Sequence, residues 1–234
     1  MHILIINPNS NEMSTESIKM SINDFICDEV QIDCWTNKSG PLFIASNYDY
    51  YKAAPGLVNI IETTQDIYDG YVIACHADPN LDLLKEISHK PIIGIAEASL
   101  KLATMLGHKF SIIAPGTRGI PNKEFLVAKY GVSQFLASIR TYDAEDGDTK
   151  LQQMLSAARK AVTEDFAEVI VLGCGEFAGL NDKLQKNLGV PVLDGVACAT
   201  LILIGLIKCN LNISKRLRYA KVIYGVEIFT HLYT

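Results

Sequence analysis

The sequence predicts an α/β protein of two pseudo-symmetric lobes, each a mostly parallel sheet flanked by helices, with the functional site in the cleft between them. Three observations carry this. Tyr71-Val72-Ile73-Ala74 runs without polar interruption into Cys75, and a turn of His76, Asp78 and Pro79 leads into an amphipathic run from Leu81. That pattern is a strand buried in a sheet, a tight turn and the start of a helix. Val169-Ile170-Val171-Leu172-Gly173 runs into Cys174 in the same way, and a helical pattern begins near Leu180. The surroundings repeat too: the two cysteines lie 99 residues apart, Pro91 and Pro191 lie 100 apart, and the strand at 2–7 has a counterpart at 109–114. One α/β unit is therefore written twice. Residues 1–97 with about 205–234 are assigned to the first lobe, and 98–204 to the second.

The elements follow in chain order. Residues 2–6 are a continuous apolar strand ending in Asn7-Pro8-Asn9-Ser10-Asn11. Open α/β sheets bind ligands at the carboxyl ends of their strands. Asn9 and Ser10 are thus candidate substrate contacts, a plain turn and cap being the alternative. Ser14 or Thr15, with Glu16 and Ser17, caps a helix running to about Phe25. Residues 30–35 alternate as a second strand. Residues 39–51 hold turn formers and aromatics; they read as a loop across the cleft mouth, or as surface tyrosines capping a helix. Residues 54–68 are helical, with Pro55 tolerated in the first turn.

After the Cys75 unit, residues 91–95 form a strand, and a helix from about Ala96 ends near Gly107. The second copy opens with a strand at 110–114, whose end, Pro115-Gly116-Thr117-Arg118-Gly119, matches the Asn-rich loop of the first. Thr117 is therefore a candidate ligand contact, and Arg118 is either an anion contact or a solvated charge. Residues 121–130 read as a helix, 135–142 as a strand, 143–148 as an exposed acidic loop and 150–166 as a helix. The acidic loop lacks the ligand alternation and terminal Glu of a calcium site. After the Cys174 unit come a strand at 191–195 and a helix at 196–208. Residues 210–234 are expected to pack back on the first lobe or on another subunit.

Composition sets limits. The 234 residues are 49% hydrophobic and 20% charged, with a net charge of −5. No basic stripe is present, so neither nucleic acid nor an anionic membrane is an expected partner. The longest apolar run, at 196–207, is too short to span a bilayer. Six cysteines without other signs of secretion point to a reducing cytoplasm. There is no Gly-rich dinucleotide fingerprint, no Walker sequence, no Gly-x-Ser-x-Gly elbow and no Cys-x-x-Cys pair. Nucleotide binding, serine hydrolysis, dithiol redox chemistry and structural zinc are thereby disfavoured. No metal or cofactor is expected.

Two thiols presented by two facing half-domains suit one kind of reaction. Inverting a carbon centre needs a base on one face and an acid on the other, and a cysteine pair exchanges those roles with direction. The carbon acid must lie beside a carbonyl, whose enolate needs fixed donors. Asn9, Ser10, Thr117 and the backbone N–H groups after each cysteine are candidates. Buried inert cysteines are the alternative.

The residues also resemble a known family. Ile6-Asn7-Pro8-Asn9-Ser10-Asn11, Ala74-Cys75 with Asp78-Pro79, Gly94-Ile95-Ala96-Glu97-Ala98, Leu172-Gly173-Cys174 and Pro191-Val192-Leu193-Asp194-Gly195-Val196 are similar to the aspartate/glutamate/hydantoin racemase superfamily, in its hydantoin and allantoin racemase branch. The resemblance covers nearly the whole chain. It implies a cofactor-independent racemase acting on a small molecule, a cyclic ureide or an amino acid, with Cys75 and Cys174 as its acid/base pair. It also implies a homo-oligomer. His76, and Gly175-Glu176-Phe177, depart from the small or apolar residues that usually follow the two cysteines. His76 would steady a thiolate or contact substrate. Gly175 offers backbone N–H, and Glu176 would accept from an imide N–H or cap the next helix. A decarboxylase or cis–trans isomerase on the same scaffold, an aspartate/glutamate-type racemase and a non-catalytic binding protein remain alternatives.

Overall fold

The repeated unit folds into two four-stranded sheets of identical order, β2-β1-β3-β4 and β6-β5-β7-β8. The strands are β1 (His2–Asn7), β2 (Gln31–Thr36), β3 (Gly70–Ile73) and β4 (Ile92–Gly94), then β5 (Phe110–Pro115), β6 (Leu136–Tyr142), β7 (Val169–Leu172) and β8 (Val192–Leu193). The chain is a computed structural model that describes residues 1–23, 27–142, 149–177 and 179–220. Every pairing between these strands is parallel. The acidic loop expected at 143–148 and the helix end expected at Phe25 lie outside the described residues.

The helices are α1 (Glu12–Ser21), α2 (Asn47–Thr64), α3 (Leu81–Ile87), α4 (Ile95–Leu106), α5 (Ile120–Lys129), α6 (Lys150–Thr163), α7 (Asn181–Leu188) and α8 (Gly195–Lys208). They cover both faces of each sheet, which is why the central strands are mostly apolar, with the buried Ser111 of β5 bonded to Ser138. Ile3, Leu4, Ile5 and Ile6 of β1 are fully buried, as are Val169, Ile170 and Val171 of β7. Each such side chain contributes about 1.5–3 kcal/mol on leaving water. The core has three parts. Leu57 and Ile61 of α2 and Leu84 of α3 pack on the outer face of the first sheet. Met154 of α6 and Leu184 of α7 do the same on the second. Between the sheets lies a shared core, where Val72 and Val171 meet Leu100 of α4 and Leu203 of α8.

α2 ends at Thr64 rather than near Tyr68, and α1 is capped by Asn11 rather than by Ser14 or Thr15. Two further helix boundaries differ from the sequence reading. The aromatic stretch 47–51 is not loop but the first turns of α2. Ser46 caps it, its Oγ accepting from Asp49 N–H, while the Asp49 carboxylate accepts from Ala45 N–H at 3.0 Å and Ser46 Oγ at 2.8 Å. Pro55 consequently lies inside the helix. It leaves the Tyr51 carbonyl without its helical donor, and Tyr51 is exposed, so water can serve it. At the other boundary α6 stops at Thr163, short of Phe166, which takes a left-handed φ of 58° and is exposed.

The described part of the C-terminal segment packs back on the first sheet's helices. Lys215 Nζ donates to the carbonyls of Lys85 and Glu86. Arg218 Nη2 and Tyr219 Oη donate to the Asp82 carboxylate, each at 2.9 Å.

Candidate active site

Both cysteines stand two residues past the end of a strand. Ala74 N–H still donates to Ile6 across the ladder, and the chain then turns, Asp78 N–H donating to the Cys75 carbonyl at 2.9 Å. The turn needs left-handed residues, Asp78 at φ 43° and Asn80 at φ 60°, and short polar side chains tolerate that region best. In the second copy Gly173 N–H donates to Ile113, and a 3-10 turn, Gly175–Phe177, follows Cys174. The backbone N–H two residues on favours the thiolate at each position, Ala77 for Cys75 and Glu176 for Cys174. Helices α3 and α7 begin only at Leu81 and Asn181, so the turns, not the helix ends, supply the nearest donors.

An aspartate holds each turn in place, from opposite ends. In the first copy Asp78 reaches out of the turn to cap α4, accepting from Ala96 N–H at 3.1 Å and Glu97 N–H at 2.7 Å. Tyr130 Oη, just past the end of α5, donates a third bond at 2.5 Å. Burial pushes the Asp78 carboxyl up to about 6, against these donors. In the second copy the carboxylate sits at the start of α8. Asp194 accepts from Val196 N–H and reaches back to Gly179 N–H, both at 2.8 Å. Gly94 stands where Asp194 stands in the other copy, and its missing side chain is the room Asp78 fills.

The two halves bring Cys75 and Cys174 to one cavity of about 270 Å³. Both are free thiols. His76 and Lys123 line it beside them, and Ile44, Ala45 and Tyr50 line it from the segment expected across the cleft mouth. Arg118 lines it too, while staying exposed. Burial pushes the Cys75 thiol up to about 12, opposed chiefly by the Lys123 charge. Burial raises Cys174 as well, opposed first by the Glu176 N–H and then by Lys123 and Lys150. The His76 ring is buried, with Nε2 3.3 Å from Ser99 Oγ and Nδ1 3.0 Å from Lys123 Nζ. Burial and the neighbouring lysine hold it well below the usual histidine range, so it stays neutral.

The remaining candidates sit on the same edge of the sheets but do not line the cavity. Asn9 Oδ1 accepts from Asn7 Nδ2 and Asn11 N–H, both at 2.9 Å, and Ser10 N–H donates to Pro41. Both residues build the turn that leads to Asn11, the actual cap of α1. Thr117 is exposed. The Glu176 side chain turns to α1, where it accepts from Ser14 Oγ at 3.0 Å. Gly175 is buried against the other half: a Cβ there would come within 2.9 Å of the Ala74 carbonyl oxygen. Among the described residues no group of three or more His, Cys, Asp or Glu is arranged to hold a metal ion.

Lys123 is the residue that sequence reasoning missed. It lies in the first turn of a helix, where a lysine ordinarily points to solvent, yet it is only 5% exposed. Nothing local marks it; its partner His76 is 47 residues away.

Comparison with known proteins identifies the family. A family model described as Asp/Glu/Hydantoin racemase matches residues 3–202. The chain belongs to the Asp/Glu/hydantoin racemase family. It is 38% identical to a hydantoin racemase of Pseudomonas sp. (strain NS671) over 203 residues, 84% of this chain and 82% of that one. A hydantoin racemase of Paenarthrobacter aurescens is 34% identical, over 94% of this chain and 97% of its own length. The solved allantoin racemase from Klebsiella pneumoniae superimposes with a TM-score of 0.90 at 32% identity, covering 96% of this chain and 95% of its own. The chain is thus a racemase-type isomerase, with the two-sheet α/β fold of that family.

Proposed function

We propose that this racemase inverts C5 of a 5-substituted hydantoin or of allantoin, using Cys75 and Cys174 as its two acid/base groups. The single observation behind this is that two strand-end thiols, from equivalent places in a repeated unit, share one cavity. The thiolate of one cysteine removes the C5 proton, and the C–H electron pair passes into the adjacent carbonyl as an enolate. The thiol of the other returns a proton to the opposite face, leaving the first protonated and the second as thiolate. The next turnover runs from the other enantiomer without net redox change, so the reaction calls for no cofactor.

The test is a chiral assay over hydantoins, allantoin, aspartate and glutamate, run in D2O. Loss of optical rotation with deuterium entering C5 of a ureide is expected. Turnover confined to aspartate or glutamate would reject the substrate class.

The same reading fixes the sign of the pH dependence. A thiol whose pKa burial has raised is mostly protonated near neutrality, as both are here. The thiolate fraction then grows about tenfold per pH unit below that pKa. The value of kcat/KM should therefore climb between pH 7 and 9, while one thiol stays protonated as the acid. A profile flat across that interval would show that thiolate formation does not limit the reaction.

A further inference from the structure

Lys123 is committed in only two of its three N–H directions. Its Nζ donates to the backbone carbonyl of His76 and lies 3.0 Å from His76 Nδ1. The ring tautomer follows from its other side. Ser99 Oγ donates to the Ile95 carbonyl at 2.7 Å, so it accepts from His76 Nε2–H. Nδ1 is then left bare to accept from the lysine. A lysine carries three donors, and the third finds no hydrogen-bond acceptor among the described residues. The side chain lines the cavity that both thiols line.

We propose that Lys123 is the fixed cation of this cavity: its third N–H faces the reacting groups, pairs with whichever cysteine is the thiolate, and receives the substrate's carbonyl oxygen as the enolate forms. The second half rests on the racemase reading above, whereas the first half concerns the ligand-free protein alone. The role suits a two-direction reaction, because a single charge within reach of both sulfurs serves both. It also gives His76 a task. A neutral ring bonded to Ser99 on one side and to the lysine on the other is a positioning residue that aims Lys123.

The charged and titratable groups around the ammonium are Cys75, His76 and Asp78 from the loop after β3, Cys174 after β7, Tyr50 of α2 and Arg118 of the preceding 3-10 turn, with Tyr130 behind Asp78. Cys75, Cys174 and Asp78 favour the charged amine, while burial opposes it.

The test is the rate of alkylation of ligand-free protein by iodoacetamide at fixed pH between 7 and 10, below the raised thiol range, each cysteine followed separately by peptide mass spectrometry. Wild type is compared with Lys123→Met, Lys123→Gln and Lys123→Arg. Removing a neighbouring opposite charge shifts an ionisable group by about one to three units. In the Met and Gln variants the alkylation rate of Cys75 at fixed pH should fall by at least about threefold, since a rise of one unit removes about tenfold of the thiolate and returns part of that in nucleophilicity, and that of Cys174 should fall too. Arg should hold both near wild type. On a ureide that wild type turns over, kcat/KM should fall about a hundredfold in the Met and Gln variants, as for loss of one oxyanion donor. The Gln variant keeps two donors for His76, so it decides the matter if Met does not fold. Unchanged alkylation rates in a folded Met or Gln variant would overturn the proposal. Normal turnover in those variants would overturn its enolate half. A wild type that racemises no ureide would reject the proposed function and leave the alkylation result to judge Lys123.

Discussion

Cys75→Ala and Cys174→Ala should each lower kcat/KM for racemisation by at least about a thousandfold, within the range of general acid–base catalysis. Both faces of the carbon centre must be served, so losing either thiol breaks the full cycle. The isotope pattern is more telling than the rate. A variant with one thiol can still remove the proton that faces it and return deuterium to the same face. Cys75→Ala in D2O should thus exchange one enantiomer without inverting it, and Cys174→Ala should exchange the other. Polarimetry measures inversion, and proton NMR on each pure enantiomer measures exchange. Cys75 lies on the cavity wall outside the apolar cores, and Cys174 lies on that wall against the edge of the second sheet's core, so Cys75→Ala should melt close to wild type and Cys174→Ala within about 1 kcal/mol of it. Racemisation at the wild-type rate in both variants would remove the two-thiol mechanism.

The second large effect concerns stability. Gly94→Ala should cost about 2–4 kcal/mol, the range for disrupting a buried hydrogen-bonded network. A Cβ there would lie 2.3 Å from Asp78 Oδ1 and 2.6 Å from Oδ2, closer than atoms can approach. The carboxylate cannot step aside cheaply, because Ala96 N–H, Glu97 N–H and Tyr130 Oη all donate to it. Displacing it strips the cap from α4 and strains the turn that carries Cys75. At about 2–4 °C per kcal/mol for a chain of this size, the melting temperature should fall by roughly 5–15 °C. Gly205→Ala is the contrasting control. It lies within α8, is exposed, and a Cβ there meets nothing within 4 Å. The better helix former should leave stability unchanged or raise it by up to about 1 kcal/mol. Equal melting of Gly94→Ala and wild type would show that Asp78 is not held as described.

What could be read from the sequence follows from how each signal is written. The strands β1, β3, β5 and β7 were legible because burial on both faces makes them continuous apolar runs. The cysteines were legible because they end two of those runs at matching places. Placing Asn9, Ser10, Thr117 and Glu176 at the carboxyl edge was equally direct, but a strand end fixes only the edge. Local bonds decide where the side chain turns: Asn9 is taken by Asn7 and Asn11, and Glu176 by Ser14. The start of α2 was hidden because its cap, Ser46 with Asp49, stands among tyrosines and close to Pro55. Lys123 was hidden for a deeper reason. Its burial is a property of two elements meeting, and periodicity along one helix does not record what lies across from it.

The oppositely wired aspartates bear on how the two copies can be treated as parts. A half whose turn is pinned by Asp78 requires a glycine at 94, and a half pinned by Asp194 supplies its own carboxylate from the helix start. The copies have the same architecture but incompatible fastenings. A chimera joining two first halves or two second halves must inherit each carboxylate together with the space or the N–H that answers it. Transplanting Cys75 and its turn without Gly94 would carry the nucleus of the site into a frame with no room to hold it. Inheritance in this fold runs by such matched pairs, one residue providing the bond and a distant one providing the vacancy.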